Sequence, residues 1–188
     1  MSDTAKRIIE VMADLIQTRG YSAVSYQDIA DAIGIRKASI HYHFPSKADL
    51  GEAVIKQYKQ SLLDQLEAVD ADPDASANDK LEAFLAPYLS FKGDDKRVCL
   101  CGSLAGEYFA LPEGMQSEIT DFFEAQQGWL TGLFAESEKN ASLKIPGSPG
   151  QTARLFFDAL QGALLAKRAA HDDSQIDDVV TTLRAIVS

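Results

Sequence analysis

The stretch SYQDIADAIGIRKASIHYHFPSKADL, Ser25 to Leu50, decides how this chain is read. Ser25 followed three residues later by Asp28 has the spacing of a capping box. There a hydroxyl and a carboxylate satisfy backbone amides that a helix start leaves open. Ile29, Ala30, Ala32 and Ile33 then fall on one apolar face, and Gly34 supplies a stop. A second helix is expected over Lys37–Phe44, because Pro45 cannot continue it. Ser46 and Asp49 repeat the capping spacing for the next helix. Only Gly34-Ile35-Arg36 separates the first two, and two short helices joined by so brief a Gly-containing turn form a helix-turn-helix.

The second helix of such a pair lies in the DNA major groove with its first residues at the base edges. Arg36 and Lys37 can pair with guanine or with phosphate, and Ser39 with either partner. Ala38 allows close approach or contact with a thymine methyl, while His41, Tyr42 and His43 can bond to phosphate oxygens. Phe44 reads as core. Lys47 has two readings, a solvated lysine or a phosphate clamp beside a helix start. Asp28 and Asp31 would repel DNA, so they should cap or point away. His41 and His43 stand two apart, do not share a helix face, and so make no metal site by themselves.

Outward from this motif the chain reads as helices throughout. Ile8, Ile9, Met12, Ala13 and Ile16 form one face of a first helix that stops near Gly20. A long fourth helix starts at Ser46 and runs to about Ala68. Further helices are expected over about 79–91, 100–110, 113–134, 151–170 and 174–187, about nine in all. The acidic run at 70–79, the Gly93–Arg97 segment and the Pro/Gly-rich 144–150 read as loops. The fold class is therefore all-α, dividing at residue 47 into 1–47, which holds the helix-turn-helix, and the helical remainder 48–188.

Charge divides the chain the same way. The net charge of the 188 residues is −10, which taken whole argues against a nucleic-acid partner. Residues 1–50 carry six basic and six acidic groups, leaving 12 basic and 22 acidic groups in 51–188. No run of about 18 apolar residues appears, so no membrane partner is expected. The N-terminus lacks a signal-peptide pattern, and two cysteines make no disulfide scaffold, so the chain reads as cytoplasmic.

The segment from Gly20 to Leu50 resembles the DNA-binding domain of TetR-family transcriptional regulators, with the likeness spanning roughly residues 4–52. Its most specific part is Ile40-His-Tyr-His-Phe-Pro-Ser-Lys47 ahead of Asp49-Leu50. The resemblance implies an all-helical homodimer: helices 1–3 bind a double-stranded operator, helix 4 links them to a core that takes a small-molecule ligand, and the last two helices pair the subunits. It places the candidate DNA contacts at Ser25, Tyr26, Arg36, Lys37, Ala38, Ser39, His41, Tyr42, His43 and Lys47. His41 stands where the family more often has Tyr.

The acidic remainder is rich in rings. Tyr88, Tyr108, Phe122, Phe123, Trp129 and Phe156, with Glu107 and Gln126 as polar anchors, could line a mostly apolar ligand pocket, or the rings could be core. Helix eight is apolar over more than half its circumference, which fits a homodimer seam better than packing within one chain. Phe157, Leu160, Gly162 and Leu164 there, with Val180 and Leu183 in the last helix, are the expected dimer residues. Cys99 and Cys101 have two readings. They are small apolar residues at a helix start, or a thiol sensor activated by Lys96 and Arg97 just upstream. The run Cys99-Leu-Cys-Gly-Ser-Leu-Ala-Gly-Glu-Tyr108 is similar to an AcrR/NemR-like branch that includes electrophile-responsive regulators, with Cys99 at the matching position.

No Gly-rich phosphate loop, metal-ligand spacing or nucleophile–base set appears, so no catalytic residue, metal or cofactor is expected. The leading reading is a repressor released from a palindromic operator by a ligand. A thiol-based repressor, an activator, and a helical carrier or enzyme holding an incidental helix-turn-helix stay open.

Overall fold

The computed structural model describes residues 1–188 and contains only helices and their connections. They are α1 (Asp3–Arg19), α2 (Tyr26–Ile33), α3 (Lys37–His43), α4 (Lys47–Asp70), α5 (Ala77–Leu89), α6 (Leu100–Ala105), a single 3-10 turn (Tyr108–Ala110), α7 (Glu113–Asn140), α8 (Pro149–Ala170) and α9 (Ser174–Ile186). No helix is long and apolar enough to cross a membrane.

By packing, the chain divides into two compact units. One comprises Met1–Lys59 and Lys96–Phe122, the other Gln60–Asp95 and Phe123–Ser188. The division does not follow residue 47. Leu50, Val54 and Ile55 of α4 are buried. Lys59 Nζ pairs with Glu118 at 3.0 Å and Asp121 at 3.6 Å, and the Tyr58 ring lies 5.8 Å from Phe122. The first turns of α4 and of α7 therefore belong with α1–α3.

In the first unit α1 packs on α2, α3 and α6. Its inward face is Ile8, Ile9, Met12 and Ile16, all buried, as its helical spacing predicts. Ser25 and Asp28 form the expected capping box at α2, and Ser46 with Asp49 makes the same reciprocal bonds at α4. Gly34 closes α2 at φ 78°, a left-handed conformation that costs a side-chain-bearing residue steric strain. That single residue turns the chain sharply enough for α3 to start at Lys37.

Helix six is shorter than the sequence suggests. It stops at Ala105, and Tyr108–Ala110 tightens into a separate 3-10 turn before Pro112. The physical reason lies at Glu107, whose carboxylate is drawn to the backbone of residues 21 and 22. Helix seven is longer than expected, reaching Asn140.

In the second unit α8 packs on α9, and α9 on α5. Lys167 is buried, and its ammonium donates to the Asp94 carbonyl at 2.8 Å and pairs with Asp173 at 3.1 Å. Asp173 in turn accepts from the Gly93 amide at 2.9 Å, pinning the loop after α5 to the end of α8. Pro87 sits inside α5, so the Ala83 carbonyl lacks the amide that would ordinarily bond to it.

The dimer residues expected from the sequence mostly face inward. Phe157, Leu160, Leu164, Val180 and Leu183 are all buried within the chain's own core. Only Gly162 is exposed. A second line of α8 faces out instead: Leu155 (48% exposed), Asp158, Gly162, Leu165 (41% exposed), Ala166 and Ala169. A broad apolar circumference here contains both a core face and an outward line, and α9 packs against the helix.

Candidate nucleic-acid interface

Helix α3 gives one residue, Ile40, to the core, and Ile40 is fully buried. Burying such a side chain stabilises by roughly 1.5–3 kcal/mol, enough to anchor a seven-residue helix that has no side-chain cap at its start. With Ile40 inward, Arg36, Lys37, Ala38, His41 and Tyr42 face outward, and Ser39 and His43 are half-buried. Tyr42 is 84% exposed. From Arg36 to Ala48 there is no acidic side chain, although the whole chain is strongly acidic. The nearby acids are engaged: Asp28 caps α2 and lies 3.7 Å from Arg19, and Asp31 accepts from Gln27. The outer face of α3 is thus a short cationic surface with hydroxyl and imidazole groups, a composition suited to phosphates and base edges.

Three of the expected DNA contacts have structural tasks. The Ser25 hydroxyl caps α2. The Tyr26 hydroxyl donates to the Phe44 carbonyl at 2.9 Å, and its ring meets His41 edge-on at 4.6 Å. Lys47 Nζ donates to the Tyr21 carbonyl at 2.7 Å and lies 4.1 Å from the centroid of the Tyr21 ring. Burial lowers its pKa against the opposing pull of Glu107 and Asp28. Phe44 is buried, as the sequence suggests.

The expected ligand-pocket residues do not converge on one site. Glu107 accepts from the Tyr21 amide at 2.8 Å and from the Ser22 amide at 2.9 Å, so its carboxylate serves a turn and not a pocket. Burial pushes that carboxyl up, but the Ser22 hydroxyl, the Ser22 and Tyr21 amides and the Lys47 charge together outweigh burial and hold it below its ordinary value. Tyr108 meets Thr120 at 3.2 Å between hydroxyls. Phe122 is fully buried in the first unit. In the second unit Phe156 packs edge-on against Phe134 and Phe123 against Phe157. Tyr88 and Trp129 both lie on Phe84, and the Trp129 indole donates to Asp70 at 2.7 Å.

Gln126 differs from the rest. It is 3% exposed, and its Nε2 has no hydrogen-bond partner. It lines a crevice of about 10 Å³ with Leu62, Gln65, Leu66, Ala83, Phe84 and Pro87. The sequence singled out Gln126, but not Pro87, whose effect on the Ala83 carbonyl was the available signal.

Both thiols are buried and unpaired by any disulfide. The Tyr58 hydroxyl lies 3.7 Å from Cys99 Sγ. Burial, with Cys99 adding, raises the Cys101 pKa well above that of an ordinary thiol. Arg97, expected to activate the pair, binds Asp14 at 2.7 Å. Burial therefore disfavours the thiolate at Cys101 despite the opposing pull of Lys59.

Residues 8–54 match the family described as bacterial regulatory proteins, tetR family. The transcriptional regulator AcuR of Cereibacter sphaeroides is 27% identical over 160 residues, covering 84% of this chain and 73% of that protein. A TetR transcriptional regulator from Legionella pneumophila has a crystal structure similar at TM-score 0.89 and 32% identity, covering 100% of this chain and 99% of its own. A TetR-family regulator from Agrobacterium tumefaciens is similar at TM-score 0.90 and 30% identity, covering 98% and 97%. With a motif that presents α3 outward and full-length likeness to such regulators, the chain belongs to the TetR family and is a DNA-binding transcriptional regulator, not an enzyme.

Proposed function

We propose that this regulator is a homodimeric repressor that reads a palindromic operator through α3 and leaves it when a small molecule binds the second unit. Residues 1–47 read DNA, and 48–188 bind the ligand and pair the subunits. The outward presentation of Arg36, Lys37, Ala38, His41 and Tyr42 around a single buried anchor, Ile40, carries the reading. The free line Leu155–Gly162–Leu165 on α8 supports pairing of subunits, because small residues between exposed leucines let two helices approach closely. A two-fold dimer sets two recognition helices about 34–36 Å apart, one turn of DNA.

The ligand takes the Gln126 crevice as its polar anchor. An acceptor oxygen on the ligand meets the Gln126 amide, and apolar parts lie along Leu62, Leu66 and Phe84. The crevice holds about one water-sized group, far less than the roughly 300–1,000 Å³ of a ligand site. The ligand therefore binds an opened conformer. That difference in affinity between conformers is what shifts the population away from the DNA-bound form.

The test starts with duplexes selected from a random library by the purified chain. The expected result is a palindromic consensus bound with an affinity that falls steeply with salt, at roughly −0.9 in log–log slope per phosphate contacted. Failure to enrich any sequence, or a flat salt response, overturns the reading.

A further inference from the structure

Tyr21, in the turn between α1 and α2, is gripped from both sides of its backbone. Its amide donates to Glu107 Oε1 at 2.8 Å, and the next amide, of Ser22, donates to Glu107 Oε2 at 2.9 Å. Its carbonyl accepts from Lys47 Nζ at 2.7 Å, and the same ammonium lies over its ring. Tyr21 itself is buried. A Cβ at Gly20 would run into the Glu107 carboxylate, so the glycine is what lets the chain approach it. Three segments far apart in sequence meet here: the α1–α2 turn, the first residue of α4, and the stretch between α6 and α7.

The turn leads through the buried Val24 directly into the α2 cap. Beyond it α2 and α3 are bound to each other by the Tyr26–Phe44 hydrogen bond and the Tyr26–His41 ring contact. Where the turn sits therefore sets where α3 sits within the first unit. Both oxygens of Glu107 are engaged by the backbone of this turn.

We propose that Glu107 is a positioning residue for DNA recognition: its carboxylate, with Lys47 on the opposite side of Tyr21, holds the α1–α2 turn and so the recognition helix in the DNA-competent place. A shift of the residue 105–112 stretch releases the two amides and lets the α2–α3 pair move. This role rests on the reading that α3 enters the groove.

The experiment uses the full chain as Glu107→Ala, Glu107→Gln, Lys47→Met and the double variant Glu107→Ala/Lys47→Met. Two quantities are read: hydrogen exchange at the Tyr21 and Ser22 amides without DNA, and affinity for a duplex selected by the wild-type chain. Glu107→Ala should speed exchange at those two amides, leave the α1 core amides unchanged, and weaken DNA binding roughly 3- to 30-fold. Its salt slope should equal the wild-type slope, since no phosphate contact is lost. Glu107→Gln should recover part of both, because its remaining oxygen still accepts one amide. The two single effects should fall short of additivity in the double variant, as for groups acting through one partner.

Faster exchange with undiminished affinity overturns the proposal, and so does unchanged exchange. A fall in thermal midpoint that fully accounts for the lost affinity reduces Glu107 to a stability residue and also overturns it. A salt slope lowered by about 0.9 in Lys47→Met, with additive effects, makes Lys47 a phosphate contact and removes it from the clamp. A wild-type chain that selects no duplex sinks the DNA reading and this role together, whereas unchanged exchange in a DNA-binding variant sinks this role alone.

Discussion

The Tyr26 phenol donates to the Phe44 carbonyl at 2.9 Å, so the first residue of α2 holds the residue that closes α3. Burial, with Asp49 and Tyr21 adding, pushes its pKa up to about 12, so it stays a donor at physiological pH. Tyr26→Phe keeps the ring and removes the bond. It should cost about 1 kcal/mol of stability, roughly 2–4 °C in Tm for a chain of this size, measured by thermal denaturation. An unchanged midpoint would mean that the bond is replaced by water without loss.

Arg36 is exposed at the start of α3 with no side-chain capping bond to lose. Arg36→Ala should weaken binding to the selected duplex by about 1–3 kcal/mol and relax preference at one base position, with unfolding unaffected. Uniform weakening across sequences, with a shallower salt slope, would reassign Arg36 from base to phosphate.

The two faces of α8 can be separated by mutation. Leu155→Glu combined with Leu165→Glu places charge on the outer line and should give a folded monomer by native mass spectrometry or light scattering. Leu160→Ala empties part of the inner core instead and should cost about 2–5 kcal/mol of stability. A dimer that survives the double glutamate substitution would place the subunit contact elsewhere.

Gln126 keeps a buried amide without a partner, a cost that an apolar residue of similar size avoids. Gln126→Leu should leave stability unchanged or raise it by up to about 1–2 kcal/mol, while abolishing the response to ligand. A substantial loss of stability would show that the amide is satisfied by bound water and belongs to the fold.

Stability should also fall in acid for a reason visible at the helix starts. The Asp28 and Asp79 carboxyls are held below the ordinary 3.8, first by hydrogen bonds from Ser25 and Ser76 hydroxyls and then from their amides. A depressed folded-state pKa means that the unfolded chain binds more protons between the two values, so stability rises with pH there. This contribution is complete above the unfolded value near 4 and is lost as pH falls through the lower folded values. Urea midpoints between pH 5 and 2 measure it, and Asp28→Asn with Asp79→Asn should flatten that slope.

Much of this protein was legible in residue order because its signals are local. Capping pairs, Gly34 and Pro45 set helix starts and stops within a few residues, and Ile40 with Arg36 and Lys37 defines an inward and an outward face on one short helix. The same locality misled where a helix has two apolar faces. Along α8 nothing in the order of residues says that Leu160 turns inward while Leu165 turns outward, because α9, more than ten residues further on, decides which face is covered.

Side-chain fate over long range was likewise settled only in three dimensions. Lys47 reads as a solvated lysine or a phosphate clamp by position, yet a carbonyl 26 residues away accepts its hydrogen bond. Glu107 reads as a pocket anchor, yet two amides 86 and 85 residues away use both its oxygens. The sequence by itself determined the all-helical class, the motif and the family resemblance, though not the ends of α6 and α7. The partners of its charged and ring-bearing side chains were decided by tertiary packing, because a partly buried charge such as Lys47 or Glu107 must take whatever donor or acceptor the fold brings to it.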